Sequence, residues 1–354
     1  MPPPPPATPR MPVKQKMAVS LKSLMSSVLG RPGGADRGTP AATELFAKTD
    51  PAADGDECLR DCDSCSVRYP RGFKIDEEDV LYGHVKGWST HMVVGTGKAD
   101  WVRDVGDEKG SVMEAVDRAD GPKNGRLMLS ASNMPTPHDT GDYSQPTTVL
   151  LLPAFTLVHN VHPRNVPALV DGLVSAAPTS TSPLRPAGLP RTIPGPDPSV
   201  PALTTAACPH SAVILMCSQK TRDARCGQSA PLLRKELERH LRPLGLYRDL
   251  HDERPGGVGI YFISHVGGHK YSANVMVYRR PNAFGQDDVE AGAAEDGEAG
   301  GEGDVGAGQC IWLARVKPED CENLVRYTVL KGKVVKPESQ LRGGFDRARG
   351  LTSW

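Results

Sequence analysis

An α/β (α+β) architecture of two thioredoxin-like domains follows from three features of the sequence. A β-α-β-β-α order can be read between residues 204 and 346, part of that order recurs between residues 51 and 165, and a proline-dense stretch separates them. The 354 residues include 37 Gly and 33 Pro, with 38% hydrophobic and 5% aromatic residues. That apolar content is thin for one body of this length and adequate for two modest domains joined by unstructured stretches. Lys plus Arg and Asp plus Glu number 42 each, so no overall field draws the chain to nucleic acid or to an anionic membrane. The longest apolar run, residues 149–153 with their flanks, is far short of the ~20 residues of a spanning helix. The expectation is a soluble protein with neither nucleic acid nor membrane as partner.

Residues 1–50 open with prolines and carry Arg10, Lys14, Lys16, Lys22 and Arg31 before the first acidic residue, Asp36. Met17, Leu21, Leu24, Met25 and Val28 recur at helical spacing among serines. This pattern resembles a mitochondrial transit peptide and implies the matrix; a disordered tail on a cytoplasmic protein is the alternative. In the first domain, 51–165, strands are expected at 91–96 and 127–131. Between them lie a loop at 97–106 and a helix at 108–118, with Val112, Met113 and Val116 inward. Eight prolines within 176–201 leave room for neither a helix nor a central strand, which makes 166–203 an interdomain linker.

The second domain, 204–346, begins with the apolar run 211–216, read as a buried strand, and a polar loop at 218–227. Ser229 and Pro231 suit the start of a helix with Leu232, Leu233, Leu237 and Leu241 on one face. Residues 259–264 and 272–278 read as strands joined in a hairpin across 265–269. The stretch 287–308 holds eight acidic residues and no basic one, and is read as a solvated insertion. A strand at 310–314, a helix at 318–330 and a tail at 347–354 complete the chain.

The chemistry is concentrated in cysteines and histidines. The eight cysteines do not form the dense framework of a small disulfide scaffold, so clustered thiols point to metal or redox roles. Cys217-x8-Cys226 is followed by His265-x3-His269, each pair on a loop at a strand end. Two thiolates and two imidazoles suit tetrahedral zinc, or a [2Fe-2S] cluster in which His replaces Cys on one iron. Eight residues between the cysteines make a loop long enough to wrap a larger inorganic core, and Gly267 and Gly268 allow close backbone approach.

A second cluster, Cys58-x3-Cys62-x2-Cys65, has the spacing of radical enzymes with a [4Fe-4S] cluster, but Ser64 replaces the usual aromatic residue and no partial barrel follows. Its other readings are a Cys62–Cys65 dithiol, structural zinc with His84 or His91, or unligated thiols. Cys208 precedes its strand and so sits at the opposite sheet edge, while Cys310 and Cys321 read as core. Lys220, Arg222 and Arg225 inside the Cys217 loop offer a docking patch for an acidic redox partner. Aligning the two halves sets Gly95, Asp104 and Ser132 against Cys217, Cys226 and His265, so the first copy is expected to be degenerate and to lack a site.

Several stretches together resemble the sucrase/ferredoxin-like family and, within it, the fungal altered-inheritance-of-mitochondria branch. They are Cys217-Ser-Gln-Lys-Thr-Arg-Asp-Ala-Arg-Cys226-Gly, His265-Val-Gly-Gly-His269-Lys-Tyr, and Gly-Gln-Cys-Ile-Trp-Leu-Ala-Arg from Gly308. The first domain joins through Asp76-Glu-Glu-Asp, His84-Val-Lys-Gly-Trp-Ser-Thr-His91 and Gly97-Lys-Ala-Asp-Trp-Val-Arg-Asp104. The resemblance implies a thioredoxin-like ferredoxin in the C-terminal domain, with a [2Fe-2S] cluster on Cys217, Cys226, His265 and His269. With such a cluster the first expectation is an electron carrier or redox sensor, since the sequence offers no nucleotide-binding glycine motif and no Ser/His/Asp set to mark an enzyme; a thiol-disulfide oxidoreductase using Cys62 and Cys65 and a zinc-stabilised interaction module are the alternatives. Thr352-Ser353-Trp354 resembles the terminal tripeptide by which client proteins engage iron-sulfur assembly machinery, with Thr352 in place of an aliphatic residue. The redox partner is not legible in the sequence.

Overall fold

Apolar and β-branched runs bounded by glycine and polar turns form thirteen strands of one mixed sheet among the described residues. The computed structural model describes Met1, residues 39–195, Asp197, residues 199–287 and residues 303–354. The transit-peptide reading and most of the acidic insertion therefore fall outside the described residues.

Strand β1 (Thr90–Gly95) runs parallel to β2 (Leu127–Ser132) and antiparallel to β3 (Thr147–Leu152), which pairs with β4 (Thr156–Val161). Strand β6 (Leu203–Ala207) and the edge strand β5 (Thr192–Ile193) extend this half beyond β4. In the second half β7 (Ala212–Cys217) is parallel to β9 (Val258–Ile263), which also carries the short β8 (Tyr247–Arg248). On the other side of β7 lie β10 (Val275–Arg279), β11 (Gln309–Leu313), β12 (Leu341–Asp346) and β13 (Leu351–Thr352), each antiparallel to its neighbour. Both halves thus share one strand order around a central strand, β1 or β7. They join where β2 and β9 pair antiparallel at Ser132 and Ile263.

Alternation along the central strands divides the core into three parts. Ile214 and Met216 of β7 pack with Leu233 and Leu237 of helix α3 (Ala224–Leu241) and with Val325 of the helical run 318–329. Met92 and Val94 of β1 pack with Met113 of α1 (Val112–Arg118) and Leu169 of α2 (Val166–Gly172). The intervening residues, Val93, Val213 and Leu215, point the other way and meet one another with Leu150, Tyr278, Trp312 and Phe345. Each half-sheet is therefore covered by helices on its outer face and by the other half on its inner face. Fully burying one such side chain contributes about 1.5–3 kcal/mol, and residues 39–354 form one compact unit.

Three sequence expectations change. Helix α3 starts at Ala224, because the Asp223 carboxylate caps it by accepting the Arg225 N–H at 2.9 Å. Pro231 consequently lies inside the helix, where it has no N–H for the Gly227 carbonyl, and Ser229 returns its hydroxyl to Cys226 O at 3.4 Å. The expected 259–264/272–278 hairpin is absent: β9 and β10 flank β7 on opposite sides, so the connection between them crosses the end of β7. The proline-rich stretch is a strap tied to both halves. Ser180 Oγ donates to Trp88 O at 2.7 Å, and Arg347 donates to Ser182 O and Pro183 O at 2.9 and 2.8 Å. Its prolines confine it to turns and the β5–β6 pair, while α2 occupies the first seven residues of the expected linker.

His91 of β1 is fully buried at the seam between halves, with Nδ1 3.0 Å from Tyr278 Oη and Nε2 2.9 Å from Ser130 Oγ. Burial lowers its pKa to about 3, against an ordinary value of 6.5. The unfolded chain therefore takes up this proton first as pH falls, and the fold loses stability between about pH 6.5 and 3, by at most roughly 1.4 kcal/mol per pH unit. Urea unfolding of His91→Gln at about pH 7 and pH 5 should show a smaller acid loss than the unaltered chain; equal losses would contradict a neutral buried His91.

Candidate metal centre

Cys217 is the last residue of β7, buried, and its N–H continues the ladder by donating to Asn274 O at 3.2 Å. The chain then turns through 218–223 into α3, whose first turn carries Cys226, also buried. This corrects the expected polar loop at 218–227: Cys226 is held by a helix. The β9–β10 crossing brings His265 over the end of β7, where its Nδ1 lies 3.8 Å from Cys217 Sγ. The ligand atoms of Cys217, Cys226 and His265 all lie within 4.8 Å of one another.

Both thiols are free of disulfides. The neighbouring Cys226 thiol and the His265 ring favour the Cys217 thiolate and hold its pKa well below the usual thiol range. Cys226 is pushed far upward, because it shares a hydrogen bond with Cys217 and is buried beside that negative charge. Two buried thiols competing for one anionic state are what a bound cation would relieve. The donor set of soft sulfur and imidazole nitrogen fits zinc or iron-sulfur chemistry.

Residues distant in sequence hold both loops. Gln219 donates from Nε2 to Val102 O at 2.5 Å and accepts the His265 N–H on Oε1 at 2.8 Å, tying the two ligand loops together. Ser218 Oγ donates to Ala99 O at 2.7 Å, and Thr221 gives its N–H and hydroxyl to the Asp100 carboxylate at 3.0 and 2.8 Å. Arg342, buried over Trp312, donates to Gly267 O at 3.0 Å and Asn274 Oδ1 at 2.7 Å. A Cβ on Gly268, whose φ is +65°, would meet the Arg342 guanidinium at 2.5 Å. Burial lowers the Arg342 pKa to about 10.

A family model described as Sucrase/ferredoxin-like matches residues 81–343, from just before β1 into β12. The chain belongs to this family. Actin patches distal protein 1 of Saccharomyces cerevisiae is 29% identical over 308 residues, covering 82% of this chain and 86% of that protein. Altered inheritance of mitochondria protein 32 of Clavispora lusitaniae is 29% identical over 127 residues, 36% of this chain and 33% of that protein. The Debaryomyces hansenii protein of the same name is 31% identical, with 35% and 33% covered. No solved structure matches the chain.

Within this sucrase/ferredoxin-like chain the remaining sequence candidates are placed as follows. His269 opens a short turn, His269–Tyr271, and its side chain lies outside the described residues. Cys208 is buried before β7. Cys310 and Cys321 are buried in the core. Lys220 is exposed, Arg222 donates to Arg103 O, and Arg225 pairs with Asp223 at 2.7 Å. His91 has both ring nitrogens engaged and joins no cysteine. Trp354 stacks on Trp88 with ring centres 4.4 Å apart. No helix among the described residues is long and apolar enough to cross a membrane.

The equivalence between halves also needs correction. Gly95 does end β1 as Cys217 ends β7, and a Cβ there would lie 3.0 Å from Thr148 O. Ser132, however, is level with Ile263, which makes Met134 the counterpart of His265. Counting from the caps Ser111 and Asp223 makes Glu114, not Asp104, the counterpart of Cys226. Asp104 instead caps the short turn Val105–Asp107. Sequence reading missed Gln219, Asp100 and Arg342; Gln219 and Asp100 lie in stretches that resemble the family, and nothing in the local pattern marks Arg342.

Asp100→Ala should remove two hydrogen bonds to Thr221, one from a backbone amide. Hydrogen bonds to charged groups contribute about 1.5–3 kcal/mol, so amide exchange across 218–223 should accelerate about tenfold or more while the core strands keep their protection. Unchanged exchange in that loop would show that it holds itself.

Proposed function

We propose that Cys217, Cys226, His265 and His269 hold a [2Fe-2S] cluster and that the protein is a one-electron carrier or redox sensor rather than an enzyme. The observation that carries this reading is the convergence of two buried free thiols and an imidazole within 4.8 Å, in a chain of the sucrase/ferredoxin-like family. The strand order β11-β10-β7-β9, with α3 between the parallel pair, supports reading each half as thioredoxin-like, the first as a degenerate copy. We assign Cys217 and Cys226 to one iron and the two histidines to the other, since each pair is local in sequence.

When bound, the cluster supplies a one-electron acceptor and donor. The chain sets its properties. Neutral imidazoles in place of anionic thiolates favour the reduced state; His-ligated centres reach roughly −150 to +300 mV, against about −400 mV for plant-type ferredoxins. A ring nitrogen that does not bind iron can take a proton on reduction, coupling electron to proton. Cys217 and Cys226 are buried whereas His265 and the two loop glycines are half-buried, which makes the histidine edge the route for electron exchange. Lys220, at the same loop, offers positive charge to an acidic redox partner.

The relatives named for mitochondrial inheritance support a mitochondrial setting, with the matrix as the proposed compartment and the cytoplasm as the alternative. Iron-sulfur assembly machinery is the proposed supplier; engagement through Trp354 would require it to leave Trp88. One observation favours zinc as a second reading: three ligand atoms within 4.8 Å of one another are close to the spacing of a single tetrahedral ion.

Protein purified without oxygen should be red-brown, contain iron and acid-labile sulfide in equal amounts, and lose both in Cys217→Ala or Cys226→Ala but not in Cys208→Ala. Changing both histidines to Cys should keep a cluster while lowering its potential and flattening its pH dependence. Stoichiometric zinc without labile sulfide would favour the second reading.

A further inference from the structure

At the far end of α3 a second group of ligand side chains converges. His240 lies fourteen residues beyond Cys226, roughly 21 Å along the helix axis at 1.5 Å per residue. Around it, Cys62 Sγ, His240 Nε2 and a carboxylate oxygen of Glu322 all lie within 4.8 Å of one another, with Cys62 Sγ 4.0 Å from His240 Nε2. Cys65 follows Cys62 across the two-residue turn at Asp63 and Ser64. We propose that Cys62, Cys65, His240 and Glu322 form a metal site separate from the Cys217 centre, one that takes Zn2+ in tetrahedral coordination.

Three physical features carry the assignment. Cys62-x2-Cys65 brackets a turn at Asp63 and Ser64, and two intervening residues are the usual spacing for paired cysteines on zinc. A tetrahedron with Zn–S of about 2.3 Å and Zn–N of about 2.0 Å has an S···N edge of roughly 3.5 Å, so the sulfur and the imidazole need to close only slightly. The scaffold is also built in advance. Cys62 N–H donates to Glu319 O at 2.9 Å, Ser66 donates its N–H and hydroxyl to the buried Glu236 at 2.8 and 2.5 Å, and Arg326 holds Glu322 at 2.8 Å. The four ligands come from three separate segments, so a bound ion would staple the stretch around Cys62 to α3 and to the helical run 318–329.

Arg239 stands where a cation belongs. Its Nη2 lies 3.4 Å from Cys62 Sγ and 3.0 Å from His240 Nε2, and its Nε is held by Glu236 at 2.8 Å. Entry of Zn2+ requires this guanidinium to leave the imidazole. Two thiolates, one carboxylate and a neutral imidazole around Zn2+ leave one net negative charge, which Arg239 then neutralises from beside Cys62. The site needs nothing from the Cys217 centre and stands or falls apart from the cluster reading.

The test uses the full chain carrying Cys217→Ser, stripped of metal and titrated with Co2+ as probe. Tetrahedral thiolate ligation should appear as intense charge-transfer and visible d–d absorption saturating at one ion per chain and displaced by Zn2+. Adding Cys62→Ser should abolish the signal, and His240→Gln should weaken Co2+ binding about tenfold or more. Because Cys62 is only half-buried, Cys62→Ser should leave the circular dichroism unchanged. Zn2+ should also slow proteolysis between residues 60 and 75, a readout independent of colour. A Co2+ signal indifferent to Cys62→Ser, absence of any signal in natively folded reduced protein, or a Cys62–Cys65 disulfide that persists under metal would each overturn the proposal.

Discussion

The structure depends on the burial of two sheet faces against each other. Helices cover only one face of each half-sheet, and the other would expose Val93, Leu150, Val213, Leu215, Tyr278 and Trp312 to water. Their mutual packing makes β1 and β7 buried on both sides, which explains why β7 reads as an uninterrupted apolar run and why Met92, Val93 and Val94 follow one another in β1. It also explains the polar groups placed at the seam. There Tyr278 and Ser130 pair with the two ring nitrogens of His91, at 3.0 and 2.9 Å, so burial leaves neither nitrogen without a partner.

The site follows from that arrangement. With β7 central, the connection from β9 to β10 has to pass over its end, and this carries His265 to Cys217. The crossing is tight, and Gly267 and Gly268, both at positive φ, are the residues that permit it. The first half contributes through its own corresponding loop: Ala99, Asp100, Val102 and Arg103 receive hydrogen bonds from the 218–222 stretch. The first half thereby positions the stretch of the second that runs from Cys217 to Cys226.

Much of this was legible, and the failures have physical causes. The strand at 211–216 was readable because burial on both faces leaves a continuous apolar signature. The start of α3 was misplaced because Pro231 is a strong local signal, while the Asp223 cap that prevails lies ahead of it. The false hairpin arose because adjacent strands in sequence usually pair, and no local pattern reveals that β7 lies between them. Proline density reported the absence of a helix or central strand in 176–201 without reporting the hydrogen bonds from Ser180 and Arg347 that strap it down. Cys217, Cys226 and His265 could be grouped from spacing since each sits at a strand or helix end. Cys62, His240 and Glu322 could not, because only the fold brings their three segments together.

The central claim is that imidazole as well as thiolate ligates a redox-active cluster at the end of β7. Nitrogen hyperfine spectroscopy on the anaerobically purified, chemically reduced chain tests it most directly. The account predicts a paramagnetic signal coupled to histidine nitrogen that shifts when histidine is isotopically labelled and disappears in Cys217→Ala. A reduced protein with no paramagnetic signal, or a signal free of nitrogen coupling, would contradict it.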